Sequence, residues 1–146
     1  MSRRLRLALL QTDVRLGDPD ANFAALERLL EQAAALPRKP DVIVAPEMWN
    51  TGYALDRIGE LADPDGRRTK ALVAAFCRRH RVNVIAGSIA EAGTEGVSNA
   101  AYGFDRDGRE AVRYAKIHLF PLMDEHRHLQ PGDKLGLFSL EGTKAG

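Results

Sequence analysis

Apolar positions along this chain change their spacing several times, and each change marks an element. Leu5, Leu7 and Leu9 alternate with Arg6 and Ala8, the two-residue rhythm of a strand. The rhythm then lengthens, with Phe23, Leu26, Leu30 and Ala33 on one helical face, Asp18 placed as N-cap and Pro19 at the first helical position. The "LPRKPD" segment breaks that helix, and Val42 to Ala45 follow as a continuous apolar run of the kind buried on both faces of a sheet. Strand, helix, strand is the first unit.

A second unit repeats the order. Within "DPDGRRTKALVAAFCRRHR", Leu72, Val73, Phe76 and Cys77 form a helical stripe that ends in cations suited to a helix C-terminus. "VNVIAGSIAE" reads as a strand, and "SNAAYGFDRDGREAVRYAKIHLF" as two strands joined by a turn at Asp107-Gly108. "HLFPLMDEHRHLQPGDKL" is polar and proline-punctuated and is expected to form a long loop. "LGLFSLEGTKAG" is a further strand entering a turn at Glu141-Gly142. The pattern predicts an α/β fold with an antiparallel element late in the chain. No repeat, low-complexity tract or linker-like stretch divides residues 1–146, so one domain is expected. After the last turn a strand and covering helix would be expected to return against the sheet.

Composition narrows the function classes. The 146 residues are 45% hydrophobic, enough for a substantial core. Twenty-one Lys and Arg against 20 Asp and Glu leave a formal charge of +1, which favours neither nucleic acid nor an anionic membrane. A small, near-neutral partner fits better. No apolar stretch reaches the ~18 residues of a membrane-spanning helix. The basic opening "MSRRLRLALLQTD" reads as a first strand, because its apolar run is short and lacks a small-residue cleavage site. The single cysteine, Cys77, cannot form an internal disulfide and fits a reducing, cytoplasmic setting.

Three residues stand apart from the scaffold. Glu47 follows the second strand, Lys116 ends another, and Glu125 lies in the long loop. Loops beyond strand ends are where open α/β sheets hold ligands. A carboxylate beside a lysine suits acyl transfer, the carboxylate as general base and the cation as oxyanion stabiliser. Taken singly, Glu47 reads more readily as a strand-end cap or a solvated ion pair, and Lys116 as a surface lysine at a strand end.

The surrounding words are more specific. "APEMWNTGY", followed later by "YAKIHLFP", resembles the carbon-nitrogen hydrolase family, also called the nitrilase superfamily. "LRLALLQTDVRLGDPDANF" is similar to that family's opening strand, and "SNAAYGFDRDGREAVRYAKIHLF" to its asparagine, aspartate-glycine turn and lysine block. The likeness continues through "LQPGDKLGLFSLEGTKAG", so it covers essentially the whole chain. It implies an α-β-β-α sandwich and a Glu-Lys-Cys triad that cleaves small amides or nitriles through an acyl-enzyme. On that resemblance Glu47 is the general base and Lys116 the cation that stabilises the tetrahedral intermediate. Glu125, ahead of Gly132 in "PGD", resembles a second glutamate that orients the lysine and substrate, although Asp124 fits the same place. "EMWNTGY" looks more like the amidase branches, including those acting on omega-amides, than like nitrilases. The resemblance also implies no metal or other cofactor, and self-association into homo-oligomers.

The family's cysteine would follow a strand expected to begin where this chain ends, at Gly146. The chain is therefore expected to be the N-terminal portion of the fold, truncated before its nucleophile and inactive alone. Cys77 lies mid-helix on an apolar stripe, where cysteine behaves as a small hydrophobe. A different reading makes the chain a non-catalytic product, or half of a split protein whose partner supplies the cysteine. His118, His126 and His128 raise a metal reading that no further ligand pattern completes. Arg78 to Arg81 reads as a solvated helix end, and a nucleotide-binding domain lacks its glycine-rich loop after the first strand.

Overall fold

The computed structural model describes residues 4–146; Met1, Ser2 and Arg3 of the basic opening stretch lie outside the described residues. The first strand, β1 (Leu7–Leu9), leads into α1 (Pro19–Ala34) and back to β2 (Val42–Val44), which pairs parallel to β1. Asp18 caps α1 as expected, its side chain accepting a hydrogen bond from the Ala21 amide, with Pro19 in the first turn. All four residues of the expected stripe, Phe23, Leu26, Leu30 and Ala33, are buried.

A one-turn 3₁₀ helix (Leu55–Arg57), a short α2 (Ile58–Leu61) and β3 (Asp63–Pro64) lead to α3 (Arg67–His80). α3 starts at Gly66, which has no side chain to cap it. Asp63 does that work from three residues earlier, accepting from the amides of Arg68 and Thr69 and from the Thr69 hydroxyl.

Next come β4 (Asn83–Gly93), β5 (Gly96–Phe104) and β6 (Glu110–Ala115). The large sheet runs β1-β2-β4-β5-β6, with β3 beside the far end of β4. Its first three strands are parallel and its last three form an antiparallel meander. The turn at Asp107-Gly108 forms as expected, Asp105 accepting from the amides of Asp107 and Arg109. At the C-terminal end, β7 (Phe138–Leu140) and β8 (Thr143–Ala145) make a hairpin around Glu141-Gly142, both at positive φ, as a type I′ turn requires.

Helices α1 and α3 cover one face of the sheet. Leu26, Leu30, Val73, Phe76 and Cys77 pack there against Ile43, Val84, Ala100, Tyr102 and Phe104. Each fully buried large side chain of this kind contributes about 1.5–3 kcal/mol. The other face is more open: Leu7 and Leu9 are 56% and 70% exposed, whereas Ala8 packs against the helix-side core. Alternation thus marks β1 as a strand, but the bulkier side chains point away from the helices.

A second, smaller cluster joins Met48, Ile58, Ala62, Ala90, Val97 and Leu129. It lies beneath the two segments that carry Glu47 and Glu125. The segment expected as one long loop contains two turns of helix, a 3₁₀ turn (Pro121–Met123) and α4 (Glu125–His128). These turns are too short for periodicity to reveal.

Candidate active site

Glu47 is held by a network that begins at a bulge in β4. The β4–β5 register shifts between Ile85 and Ser88, and Gly87 takes a left-handed φ of 60°. A Cβ at Gly87 would lie 1.9 Å from the Pro46 carbonyl oxygen, so only glycine lets the Pro46 segment come this close. The Ser88 amide donates to that same oxygen, and the Ser88 hydroxyl accepts from the amide of Met48. Met48 adopts a φ of 49°, uncommon for a non-glycine residue and an investment of about 1–3 kcal/mol in local strain.

The residues after Glu47 complete the anchor. Trp49 donates its indole N–H to the Ala86 carbonyl and meets the Phe23 ring edge-on at 4.8 Å. The Asn50 side chain pairs with Ala90 like an extra strand residue, donating to its carbonyl at 3.0 Å and accepting from its amide at 2.9 Å. Every residue from Met48 to Gly52 is buried, and Glu47 alone in this stretch turns outward.

Lys116 follows β6, its amide bound to the Asn99 carbonyl and its own carbonyl accepting from the Gly132 amide. A Cβ on Gly132 would sit 2.2 Å from the Ala115 carbonyl oxygen, which is why the returning "PGD" segment carries a glycine there. Glu125 opens α4 and is fully buried. Asp124, which fits the same place in the sequence, is exposed and faces Arg127 at 3.6 Å. Glu125 is the acid that meets the lysine.

These segments bring the three side chains together. Lys116 Nζ lies 3.0 Å from Glu47 Oε1, 3.1 Å from Glu125 Oε1 and 3.0 Å from Glu125 Oε2. The Phe120 amide donates to Glu125 Oε2 at 2.7 Å, giving the buried carboxylate a second donor. Asn99 Nδ2 donates to Glu47 Oε1 at 2.8 Å, and the Tyr53 hydroxyl also donates to that carboxylate. Asn99 and Tyr53 carry no charge, and nothing in the pattern of apolar positions singles them out.

The electrostatics follow from this geometry. Burial pushes the Glu47 carboxyl up, but the Lys116, Asn99 and Tyr53 hydrogen bonds outweigh it and hold the acid below its usual range. For Lys116 burial works against the charge, and Glu125 and Glu47 more than reverse it, raising the ammonium. Burial, then the nearby Glu47 and Glu125 charges, keeps the Tyr53 phenol protonated. At rest Glu47 is therefore a carboxylate and Lys116 an ammonium.

A cavity of about 320 Å³ opens beside this cluster, lined by Glu47, Gly87, Ser88, Asn99, Tyr114 and Lys116 among others. It shares Ile85, Ala101 and Tyr114 with an apolar hollow of about 530 Å³ under the β7–β8 hairpin. Cys77 is not part of it. Cys77 packs with Ala100 and Tyr102, whose side chains leave β5 on the helix face, while Asn99 and Ala101 line the cavity on the opposite face. Burial first, then Asp105, pushes the Cys77 thiol up to about 12.

His118, His126 and His128 are exposed, and among the described residues no group of three or more metal-ligating side chains converges. Arg79 and Arg81 pair within the chain, with Glu31 and Asp107. No helix among the described residues is long and apolar enough to cross a membrane.

Known proteins are similar to this chain in sequence and in fold. A 2-oxoglutaramate amidase of Bacillus subtilis is 38% identical over 139 residues, which cover 95% of this chain and 52% of that protein. The omega-amidase YafV of Yersinia enterocolitica is 34% identical over 143 residues, 96% of this chain and 52% of that protein. The chain thus spans about half the length of these relatives. Among solved structures, a CN-hydrolase superfamily protein of Xanthomonas campestris superposes with a TM-score of 0.87 at 26% identity, covering 98% of this chain and 52% of that one. Yeast Nit3, described as a member of branch 10 of the nitrilase superfamily, superposes with a TM-score of 0.84 at 20% identity, which shows a shared fold. Residues 6–146 match the carbon-nitrogen hydrolase family model, and with the α/β fold and its relatives this establishes that the chain belongs to the carbon-nitrogen hydrolase family.

Proposed function

We propose that this chain supplies Glu47, Lys116 and Glu125 to an active site that hydrolyses a small linear amide to a carboxylate and ammonia, with a cysteine other than Cys77 as nucleophile. The observation that carries the reading is Lys116 Nζ held between two carboxylates, Glu47 at 3.0 Å and Glu125 at 3.0 Å, at the edge of a cavity. The amidase names of the relatives favour amides as substrates.

Each side chain has a role that its surroundings support. Glu47 takes the thiol proton, and the thiolate attacks the amide carbon. Lys116, kept charged by Glu125, stabilises the oxyanion of the tetrahedral intermediate. Glu47 returns the proton to the departing nitrogen, which leaves as ammonia. It then takes a proton from the water that cleaves the thioester and releases the carboxylate. Glu125 is too buried to meet substrate and serves to hold the lysine.

The test is ammonia release from a panel of short amides, including omega-amides of dicarboxylic acids, by the protein as its own cells make it. Release from one of them, abolished by Glu47→Gln, supports the reading; no release from any overturns it. A second reading makes the chain non-catalytic or dependent on a partner that carries the cysteine. The exposed leucines of the open sheet face, Leu7 and Leu9, favour it. Purified cellular protein of 16.0 kDa that releases ammonia only with a second polypeptide bound would select this reading.

A further inference from the structure

Glu47 is half exposed, with 51% of its side-chain surface open, yet a general base must present one oxygen in a fixed direction. Asn99 is the group placed to impose that direction. It is 2% exposed on β5, opposite Ala90, and its side chain leaves the sheet on the cavity face. Its Nδ2 reaches Glu47 Oε1 at 2.8 Å, while its main-chain carbonyl accepts from the Lys116 amide at 2.9 Å. One residue therefore touches both members of the proposed acid-base pair, one through its side chain and the other through its backbone.

We propose that Asn99 is a positioning residue, which pins Glu47 by Oε1 so that Oε2 is the oxygen that exchanges the proton with the nucleophile. This rests on the amidase reading of the site. Lys116 and Asn99 approach the same oxygen from β6 and β5, at 3.0 and 2.8 Å, and two donors on one oxygen fix the plane of the carboxylate. Both nitrogen donors thus fall on Oε1, and the Tyr53 hydroxyl is the remaining donor at the carboxylate. A neutral amide is well suited to the task. It orients the carboxylate with less loss of basicity than a second cation would bring, and a base too acidic transfers protons poorly. The groups facing Glu47 are then Lys116, Asn99 and the Tyr53 hydroxyl, with Glu125 behind the lysine.

The test uses the protein as its own cells make it, with Asn99→Leu, which removes the donor, and Asn99→Asp, which keeps the shape and sets an anion against Glu47. Two readouts are taken: the pH profile of kcat/KM on an amide, and the ¹³C NMR titration of the Glu47 carboxyl, assigned by its loss in Glu47→Gln. We expect the acid limb and the titration midpoint to rise together by about one pH unit in Asn99→Leu and by more in Asn99→Asp. Should the leucine variant fail to fold, the aspartate variant carries both readouts. A fall in rate with an unmoved midpoint reduces Asn99 to packing and overturns the inference. Wild-type protein without amidase activity overturns the proposed function instead, and the titration still decides the role of Asn99.

Discussion

Lys116 and Glu125 are joined through both carboxylate oxygens, at 3.1 and 3.0 Å, and only the lysine retains any exposure to solvent. A pair of this kind costs desolvation on both sides, so its breakage is more informative than its presence. Glu125→Ala should leave the ammonium half-buried beside one carboxylate and the Phe120 amide without its acceptor. We expect a loss of about 3–5 kcal/mol in urea unfolding, against about 1–3 kcal/mol for Glu125→Gln, which retains an acceptor oxygen.

Glu47 should behave in the opposite way, mattering for chemistry more than for folding. Its carboxylate is half exposed, so Glu47→Gln should change the unfolding free energy by less than about 1 kcal/mol. Ammonia release by the cellular protein should fall by about 10²–10⁴-fold or more, as expected when a general base is lost.

Two titrations set the pH window of the ion pairs. Glu47 is held below its ordinary 4.5 when folded, so its stabilising contribution is present above the unfolded value and lost as pH falls through the folded one. Lys116 is raised above 10.5, so its contribution is complete below that value and lost as pH climbs through the folded one. The stability difference between wild type and Glu47→Gln, followed by chemical denaturation, should be flat from pH 6 to 8 and shrink below about pH 4.5.

Gly87→Ala tests the bulge that brings Glu47 to the cavity. The new Cβ would fall 1.9 Å from the Pro46 carbonyl oxygen at a positive φ, and the backbone must shift to relieve it. We expect a destabilisation on the order of 2 kcal/mol or more, with kcat/KM lower by about 10²-fold from the displaced base.

Cys77 should prove inert. A buried thiol whose pKa is pushed up to about 12 forms almost no thiolate near neutrality. Alkylation of the native protein by iodoacetamide should leave Cys77 unmodified until denaturant is added, and Cys77→Ala should leave ammonia release unchanged.

How far the sequence reveals this molecule depends on what holds each part in place. α1 is legible because Asp18, Pro19 and the Phe23-to-Ala33 stripe agree, local chemistry and burial saying the same thing. Glu47, Lys116 and Glu125 stand out by their places at strand ends and in a polar loop, and the family resemblance is what gives them roles; hydrophobic patterning alone passes over all three. Glu125 shows why: it is buried for the sake of an ion pair, so the polar stretch around it reads as a solvated loop. The faces of β1 were hidden for another reason, since alternation says that Leu7 and Leu9 share a side but not what covers it. Asn99 falls in a block that resembles the family's, yet nothing local ties it to Glu47, because that partner lies 52 positions away.

The small apolar cluster containing Met48 and Leu129 has a consequence for motion. Met48 is the neighbour of Glu47, and Leu129 closes the helical turn that begins with Glu125, its amide bonded to the Glu125 carbonyl. Because both are sealed into one patch of contacts, neither acid-bearing segment can open without exposing apolar surface on the other. The two should loosen as a single cooperative unit, with their amides exchanging hydrogen at matched rates and more slowly than the exposed Pro121–Met123 turn between them. The charges on either side of Lys116 would then come and go together, so the lysine would seldom face one carboxylate alone.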